Sequence, residues 1–253
     1  MEEAIWNDLG QYPATSLLSC ILLAWYALCH WKGWTSTATG INACKVYEDG
    51  QWWRLATGQL SHHGVVHLAF NVTSLWAIRN LELERGSVDL LRCSLLLVAL
   101  SGLGTVLFYG CLPRQERERR YGVGFSAVLF GLMVMYTMHS ESSRFFGIVY
   151  LPMYCAPFVS LIVTQVLVPN SSFSGHLCGI MAGYVVWAGL FSWYSDQLFL
   201  LSLPWCFAWV LLCMKQRPSE PFVMDFIAIP SRQATLDDLA RCQDYTAPLY
   251  RRV

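Results

Sequence analysis

Four polar side chains lie inside otherwise apolar stretches of this 253-residue chain. His67 and Asn71 occur in "HHGVVHLAFNVTSLW", Ser126 in "GFSAVLFGLMVMY" and His176 in "SFSGHLCGIMAGYVVW". A serine hydroxyl becomes a good nucleophile when a positioned base takes its proton, and histidine suits that task best near neutral pH. Amide, imidazole and backbone N–H groups can stabilise the oxyanion that forms in acyl transfer. These residue types therefore predict acyl-transfer chemistry at a Ser–His pair.

The composition places these groups in a membrane. Hydrophobic residues make up 55% of the chain and charged residues 13%, and the mean hydropathy is +0.40. Such values are typical of a multispan membrane protein rather than of a soluble domain. The formal net charge is zero and the basic residues are dispersed, so we expect the lipid bilayer as a partner and no nucleic acid. The predicted fold class is an all-α polytopic membrane helix bundle.

Six runs with few or no charges are long enough to approach a bilayer core, which takes about 20 residues. They cover residues 14–30, 64–78, 88–112, 122–139, 153–169 and 173–193. The acidic N-terminus, 1–13, has neither the basic region nor the small-residue cleavage site of a removable signal. The first run is therefore expected to remain as a membrane anchor. A cytoplasmic N-terminus and a six-span core over 14–193 leave ten Lys and Arg residues on the cytoplasmic side and seven on the other, in agreement with the preference of cytoplasmic loops for basic residues.

Two regions outside the six runs also have membrane character. The long first loop, 31–63, is rich in tryptophan, which prefers the headgroup zone, so we predict an interfacial structure there. A further run, 194–214, is apolar enough for a seventh span, but Pro204 lies in its middle and a seventh span would leave most Lys and Arg outside the cytoplasm. This segment stays undecided between a span and an interfacial helix. The polar tail, 215–253, is expected in the cytoplasm, and its sequence names no partner.

The four polar groups share one depth in this arrangement. All of them lie on even-numbered spans, which run in the same direction, and within the first two turns or so of each span. At 1.5 Å per residue, Ser126 should lie only about 6 Å below the start of its span. His67 and Asn71, spaced i and i+4, share one helical face. Parity and offset therefore predict that the four groups lie together at a shallow depth. Ionisable groups inside spans are costly and usually functional, so we expect this position to be a functional site.

Small residues favour close contact between the fourth and sixth spans. Such stripes let helix backbones approach each other in lipid, and this approach should bring Ser126 within hydrogen-bond reach of His176. Neither span contains Asp or Glu, so the pair would act as a dyad. The charged run 114–120 places a wet surface above Ser126, as hydrolysis requires. The small residues are Gly124, Ala127 and Gly131 on the fourth span and Gly175, Gly179 and Gly183 on the sixth.

Each feature has an ordinary structural explanation when it is taken alone. Ser126 would more often be a packing serine bonded to the preceding turn, and a membrane histidine often makes only an interhelical hydrogen bond. Their coincidence at one depth favours a site. A channel or transporter with a histidine pore would need polar groups across the whole membrane. The sequence has no HExxH motif and its ten cysteines form no CxxC pair, so no metal or cofactor is implied.

At these residues the sequence resembles the rhomboid family of intramembrane serine proteases, from about Trp53 to Leu190. Its pattern is most similar to the rhomboid-related type of the endoplasmic reticulum. Two departures are Ala127, where many active members have glycine after the serine, and Phe130, where some members have a tyrosine packed under the histidine. The matching motifs are Trp53-Arg54; His67 and Asn71; Glu82, Gly86 and Ser87; Gly124-Phe125-Ser126; and His176, Gly179 and Gly183.

The resemblance implies a role for each site residue. Ser126 would be the nucleophile, His176 the general base and then acid, Asn71 and His67 the oxyanion donors, and Gly124 a support for the nucleophile turn. The substrates would be transmembrane proteins, cut within or beside a span, in the endoplasmic reticulum membrane. The alternative is a proteolytically inactive rhomboid-like chaperone or adaptor for membrane-protein quality control.

Overall fold

The computed structural model of the chain describes residues 10–138, 143–145, 149–168 and 171–216. These residues are mostly helical, in agreement with the predicted class. A short antiparallel hairpin also pairs β1 (Ser143–Phe145) with β2 (Val149–Leu151), followed by a 3-10 turn at Met153–Cys155. The helices are α1 (Pro13–Lys32), α2 (Ser36–Thr39), α3 (Ala43–Tyr47), α4 (Arg54–Leu60), α5 (Val65–Ala77), α6 (Asn80–Arg85), α7 (Ser87–Gly110), α8 (Arg114–Arg119), α9 (Ser126–Thr137), α10 (Ala156–Leu167), α11 (Phe173–Trp187) and α12 (Asp196–Gln216).

Membrane-crossing character is uneven among the described helices. Helices α1 and α7 are 20 and 24 residues long and apolar enough to cross a bilayer. Helices α5, α9, α10 and α11 are also apolar but shorter. The structure thus supports two candidate spans directly, and the six-span count rests on the shorter helices as well.

The two largest differences between a predicted run and the observed helix each lie next to a glycine. The fourth run was predicted to start at 122, but α9 begins at Ser126 because Gly124 has a φ of 119°, which no helical residue adopts. Ser126 is therefore the first residue of its helix rather than a residue inside it. The sixth run was predicted to reach 193, but α11 ends at Trp187, two residues before Gly189, whose φ is 76°.

Helix α9 is the centre of the bundle. Its side chains are almost all buried, and Val128, Leu132 and Met135 are fully covered by α5, α7 and their neighbours. The predicted close contact with α11 is confirmed. A Cβ added at Gly183 would lie 2.6 Å from the Gly131 carbonyl oxygen, so the two backbones touch. Since lipid offers no hydrophobic drive for helix association, such direct packing is what holds the helices together.

The first loop folds back onto the segment that precedes α9. Ile41 and Gly122 exchange backbone hydrogen bonds of 2.8 Å in both directions, and the Gly124 N–H donates to the Gly58 carbonyl at 3.0 Å. Arg54 is buried and donates to the carbonyls of Thr37 and Gly40 at 3.0 and 2.9 Å. The loop thereby fixes the path of the chain into Ser126.

Glu82 connects α6 to the start of α1. Its carboxylate accepts from the N–H groups of Ala14 and Thr15 at 2.7 and 2.9 Å, and from the hydroxyls of Thr15 and Ser87 at 2.7 Å each. The first amides of a helix have no acceptor within the helix, so Glu82 acts as the cap of α1. Burial alone would raise the pKa of this carboxyl, but these hydrogen bonds outweigh it and lower the pKa.

The segment that the sequence left undecided is helical from Asp196 to Gln216, with Pro204 inside the helix. Arg92, near the start of α7, donates to the Asp196 carboxylate at 2.8 Å and to the Tyr194 carbonyl at 2.9 Å. The first turn of α12 therefore lies beside the first turns of α7. Residues 1–9 of the N-terminus and residues 217–253 of the polar tail lie outside the described residues. The cytoplasmic locations predicted for them stay predictions.

Candidate active site

Ser126 and His176 meet where α9 and α11 begin. Ser126 is the first residue of α9, and His176 lies in the first turn of α11. The Ser126 Oγ and the His176 Nε2 are 2.7 Å apart. The glycine contacts between the two helices bring together two residues that are 50 positions apart in the chain.

The contact with Ser126 bears on which ring nitrogen of His176 carries the proton. For the Ser126 hydroxyl to donate to Nε2, the neutral imidazole must hold its proton on Nδ1. That Nδ1 is buried and has no hydrogen-bond partner among the described residues. The ring is held instead by Phe130, with ring centres 4.7 Å apart and planes at 33°. Phe130, one of the two departures from the family pattern, thus packs against this histidine.

His67 lies against the turn that precedes Ser126. A Cβ added at Gly124 would stand 2.6 Å from Cε1 of His67 and 3.6 Å from the Ser126 Oγ. Together with the φ of 119°, this leaves glycine as the residue that fits position 124. The structure therefore brings His67, Gly124 and Ser126 together, as the sequence predicted.

Asn71 makes a hydrogen bond within its own helix. It is buried one turn after His67 on α5, but its side-chain amide donates to the His67 carbonyl at 2.9 Å. That bond uses one of the two N–H groups of the amide. The other N–H is the one that an oxyanion could use.

Several residues that the sequence did not indicate line the space beside Ser126 and His176. A cavity of ≈ 30 Å³ opens next to Ser126 and His176, which is enough for a water molecule. The fold of the first loop brings Gly58 and Gln59 there, and the packing of α7 brings Thr105. The lining residues include Gly58 and Gln59 of α4, Thr105 of α7, Gly122 and Ser172.

Gln59 is held rigidly at the edge of this cavity. Its Nε2 donates to the Val98 carbonyl at 2.6 Å, and the Ser101 hydroxyl donates to its Oε1 at 3.1 Å. The first loop is thereby hydrogen-bonded to the middle of α7. This contact gives the cavity a fixed polar wall.

Comparison with known proteins identifies the family. Residues 49–193, more than half of the chain, match the Rhomboid domain. The chain belongs to the rhomboid family. At family level this supports a membrane-embedded protease fold, and the Trp53 to Leu190 resemblance seen in the sequence is confirmed.

Curated relatives share the same region. Rhomboid-like protein 15 of Arabidopsis thaliana is 34% identical over 201 residues, which is 74% of this chain and 48% of the relative. Rhomboid-related protein 4 of Homo sapiens is 30% identical over 188 residues, which is 72% of this chain and 59% of the relative. Rhomboid-type serine protease 2 of Gibberella zeae is 31% identical over 143 residues, covering 54% of this chain and 52% of the relative. The chain thus spans about half the length of the curated relatives it matches.

Proposed function

We propose that this chain is an intramembrane serine endopeptidase that hydrolyses peptide bonds within or beside transmembrane segments of its substrates. The observation that carries the proposal is the 2.7 Å separation of the Ser126 Oγ and the His176 Nε2. A hydroxyl this close to an imidazole nitrogen is in position to be deprotonated as it attacks a carbonyl.

The reaction would proceed in two steps. In the first, Ser126 Oγ attacks the scissile carbonyl while His176 Nε2 takes its proton, and His176 then gives this proton to the leaving amine. In the second, His176 deprotonates a water that hydrolyses the acyl-enzyme and releases Ser126. The buried Nδ1 of His176 has no carboxylate partner in the described part of the chain, so ring packing by Phe130 would orient the imidazole.

Three donors would stabilise the oxyanion. The N–H of Ser126 is at the first position of α9, where backbone amides lack an acceptor within the helix. His67 lies against the adjacent turn, and Asn71 would offer its second amide N–H. Loss of one such donor typically costs about 3 kcal/mol of transition-state stabilisation.

The membrane arrangement follows from the same helices. We propose that α1, α5, α7, α9, α10 and α11 form a six-span core over 14–193, with 31–63 at the interface. The N-terminus, 1–13, and the tail, 215–253, would lie in the cytoplasm. The contact of Arg92 with Asp196 supports a cytoplasmic start for α12 as well. The location would be the endoplasmic reticulum membrane, which is implied by the resemblance of the sequence motifs to the rhomboid-related type of that compartment.

A cleavage assay in proteoliposomes tests the proposal. A panel of single-pass membrane proteins is incubated with the parent chain, with Ser126→Ala and with His176→Ala, and cleavage is followed by gel electrophoresis. Each variant should lose more than about 1,000-fold in rate. Ser174→Ala is the matched control, because this buried serine lies in the same first turn as His176 without bonding to it.

A serine-directed fluorophosphonate probe gives a second measurement that requires no substrate. It should label the parent at Ser126 and should leave Ser126→Ala unlabelled, because only an activated hydroxyl reacts. A parent chain that neither cleaves any panel member nor takes the label would contradict the proposal. Such a result would favour the inactive chaperone or adaptor instead.

A further inference from the structure

Three histidines form a cluster next to the Gly124 turn, which His67 contacts. The ring of His62 lies 5.0 Å from the ring of His67, centre to centre, and the ring of His63 lies 6.1 Å from it. His62 and His63 come just before α5, and the Ser–His dyad uses neither of them. The cluster is therefore an arrangement of imidazoles without an assigned task.

The hydrogen bonding of His62 leaves one nitrogen available. Its Nδ1 is 2.9 Å from the Leu60 carbonyl oxygen. A carbonyl can only accept, so Nδ1 carries the proton and Nε2 has the lone pair. That Nε2 is buried and has no hydrogen-bond partner within the described ranges. A histidine whose Nδ1–H is fixed by a carbonyl while Nε2 is bare has the arrangement of a metal ligand.

The spacing of His62 and His67 suits a shared ion. Zn–N bonds are about 2.0–2.1 Å and a ring nitrogen lies about 1.1 Å from the ring centre, so two imidazoles on one tetrahedral zinc have centres about 5 Å apart. The observed separation of the two rings is 5.0 Å. The 6.1 Å between His63 and His67 exceeds this value, which leaves His63 outside the pair.

Burial favours the neutral form of both histidines that precede α5. Burial, followed by the nearby His67, lowers the pKa of His62 to about 4, and burial lowers the pKa of His63 as well. A metal ion binds the neutral form of imidazole and competes with protons for it.

We propose that His62 and His67 form an inhibitory site for zinc or a similar borderline divalent ion. Within the described ranges no group of three or more His, Cys, Asp or Glu side chains is arranged to hold a metal. The ion would therefore have two protein ligands and complete its shell with water, which gives weak and reversible binding. It would sit beside the Gly124 turn and withdraw His67 from the oxyanion, so bound zinc stops the reaction. The inhibitory effect rests on the proposed function, whereas the binding site does not.

Zinc binding is measured first, without any need for catalysis. The purified chain in detergent is dialysed against Zn²⁺ at pH 7, and bound zinc is compared for the parent, His62→Gln and His63→Gln. Removal of a ligand should weaken binding at least about tenfold, since even the loss of a residue that only supports a ligand costs 10–100-fold. His63→Gln is the matched control and should bind within about twofold of the parent. The chain also has ten cysteines, so the component that depends on His62 is the one that decides.

Inhibition is measured second, in the proteoliposome cleavage assay. Zinc should inhibit the parent and His63→Gln alike, and His62→Gln should need at least tenfold more zinc for the same inhibition, each relative to its own zinc-free rate. Equal zinc binding by His62→Gln and the parent would overturn the site and would assign the bare Nε2 to a bridging water. Binding that depends on His62 in a chain without protease activity would keep the site and reject only the proposed function.

Discussion

Gly179 lies directly on the backbone of Ala127. A Cβ added at Gly179 would stand 2.0 Å from the Ala127 carbonyl oxygen and 2.9 Å from its Cα. Ala127 follows the proposed nucleophile, and Gly179 lies one turn after His176. The backbone contact between α9 and α11 therefore sets the distance between Ser126 and His176.

Gly179→Ala should separate the two helices and uncouple the dyad. The added methyl group cannot be relieved by rotating a side chain, because the atoms it meets belong to the Ala127 backbone. Overpacking of this kind costs about 1–3 kcal/mol of folding stability, and a displacement of about 1 Å at a reacting pair can cost about 100-fold in rate. The cleavage assay and fluorophosphonate labelling measure the loss.

Gly10→Ala is the control, since a Cβ there meets nothing within 4 Å. Equal activity of Gly179→Ala and Gly10→Ala would contradict this prediction.

Ala127→Gly tests the position at which the sequence departs from many active relatives. The atoms of Ala127 that touch Gly179 are backbone atoms, so the methyl group of Ala127 does not set the helix spacing. We expect kcat/KM to change by less than about threefold, while stability falls by about 0.5–1 kcal/mol because glycine is less favourable inside a helix. Cleavage kinetics and thermal unfolding in detergent separate the two effects. A large gain in rate would show that the alanine side chain restrains the site.

Asn71→Ala tests the oxyanion role. The hydrogen bond that the Asn71 amide donates lies within its own helix. Loss of this one bond should therefore cost only about 1 kcal/mol of stability and leave the fold intact. If its second N–H stabilises the transition state, kcat should fall by about 100- to 1,000-fold with little change in KM. Thr73→Ala is the control, because the Thr73 hydroxyl makes a similar bond within α5, to the Ala69 carbonyl at 2.8 Å. A loss in KM alone would indicate substrate binding rather than oxyanion stabilisation.

The pairing of Ser126 with His176 could be predicted because it depends on simple repeats. Span parity predicts the side of the membrane, and the offset along each helix predicts the depth. Small residues spaced three or four apart predict which helix faces touch. All three can be counted along the chain, without knowledge of the loops. The same counting placed His67 near Ser126.

Other parts of the site depend on contacts that no repeat encodes. The start of α9 at Ser126 follows from the φ of Gly124, which the first loop imposes through the Gly58 carbonyl. Gln59 reaches the site through bonds to Val98 and Ser101, about 40 positions away. The turn of Asn71 toward its own helix depends on a choice of rotamer. Each of these is a tertiary effect that a single sequence leaves open.

Glu82→Gln tests the cap that joins α6 to α1, and its effect should depend on pH. The glutamine amide places N–H groups opposite the donors of Ala14 and Thr15, so about 2 kcal/mol of stability should be lost at pH 7. The pKa of Glu82 lies below its ordinary value of 4.5, so its ionised form stabilises the fold above that pH. This stabilisation is lost as the pH falls through the lowered pKa. Thermal unfolding in detergent should therefore separate the parent from Glu82→Gln at pH 7 and bring the two together once the pH falls below the lowered pKa of Glu82. Glu84→Gln, an exposed change on the same helix, is the control and should unfold like the parent at every pH. If the difference in stability between the parent and Glu82→Gln stays constant with pH, the charge of Glu82 is not what caps α1.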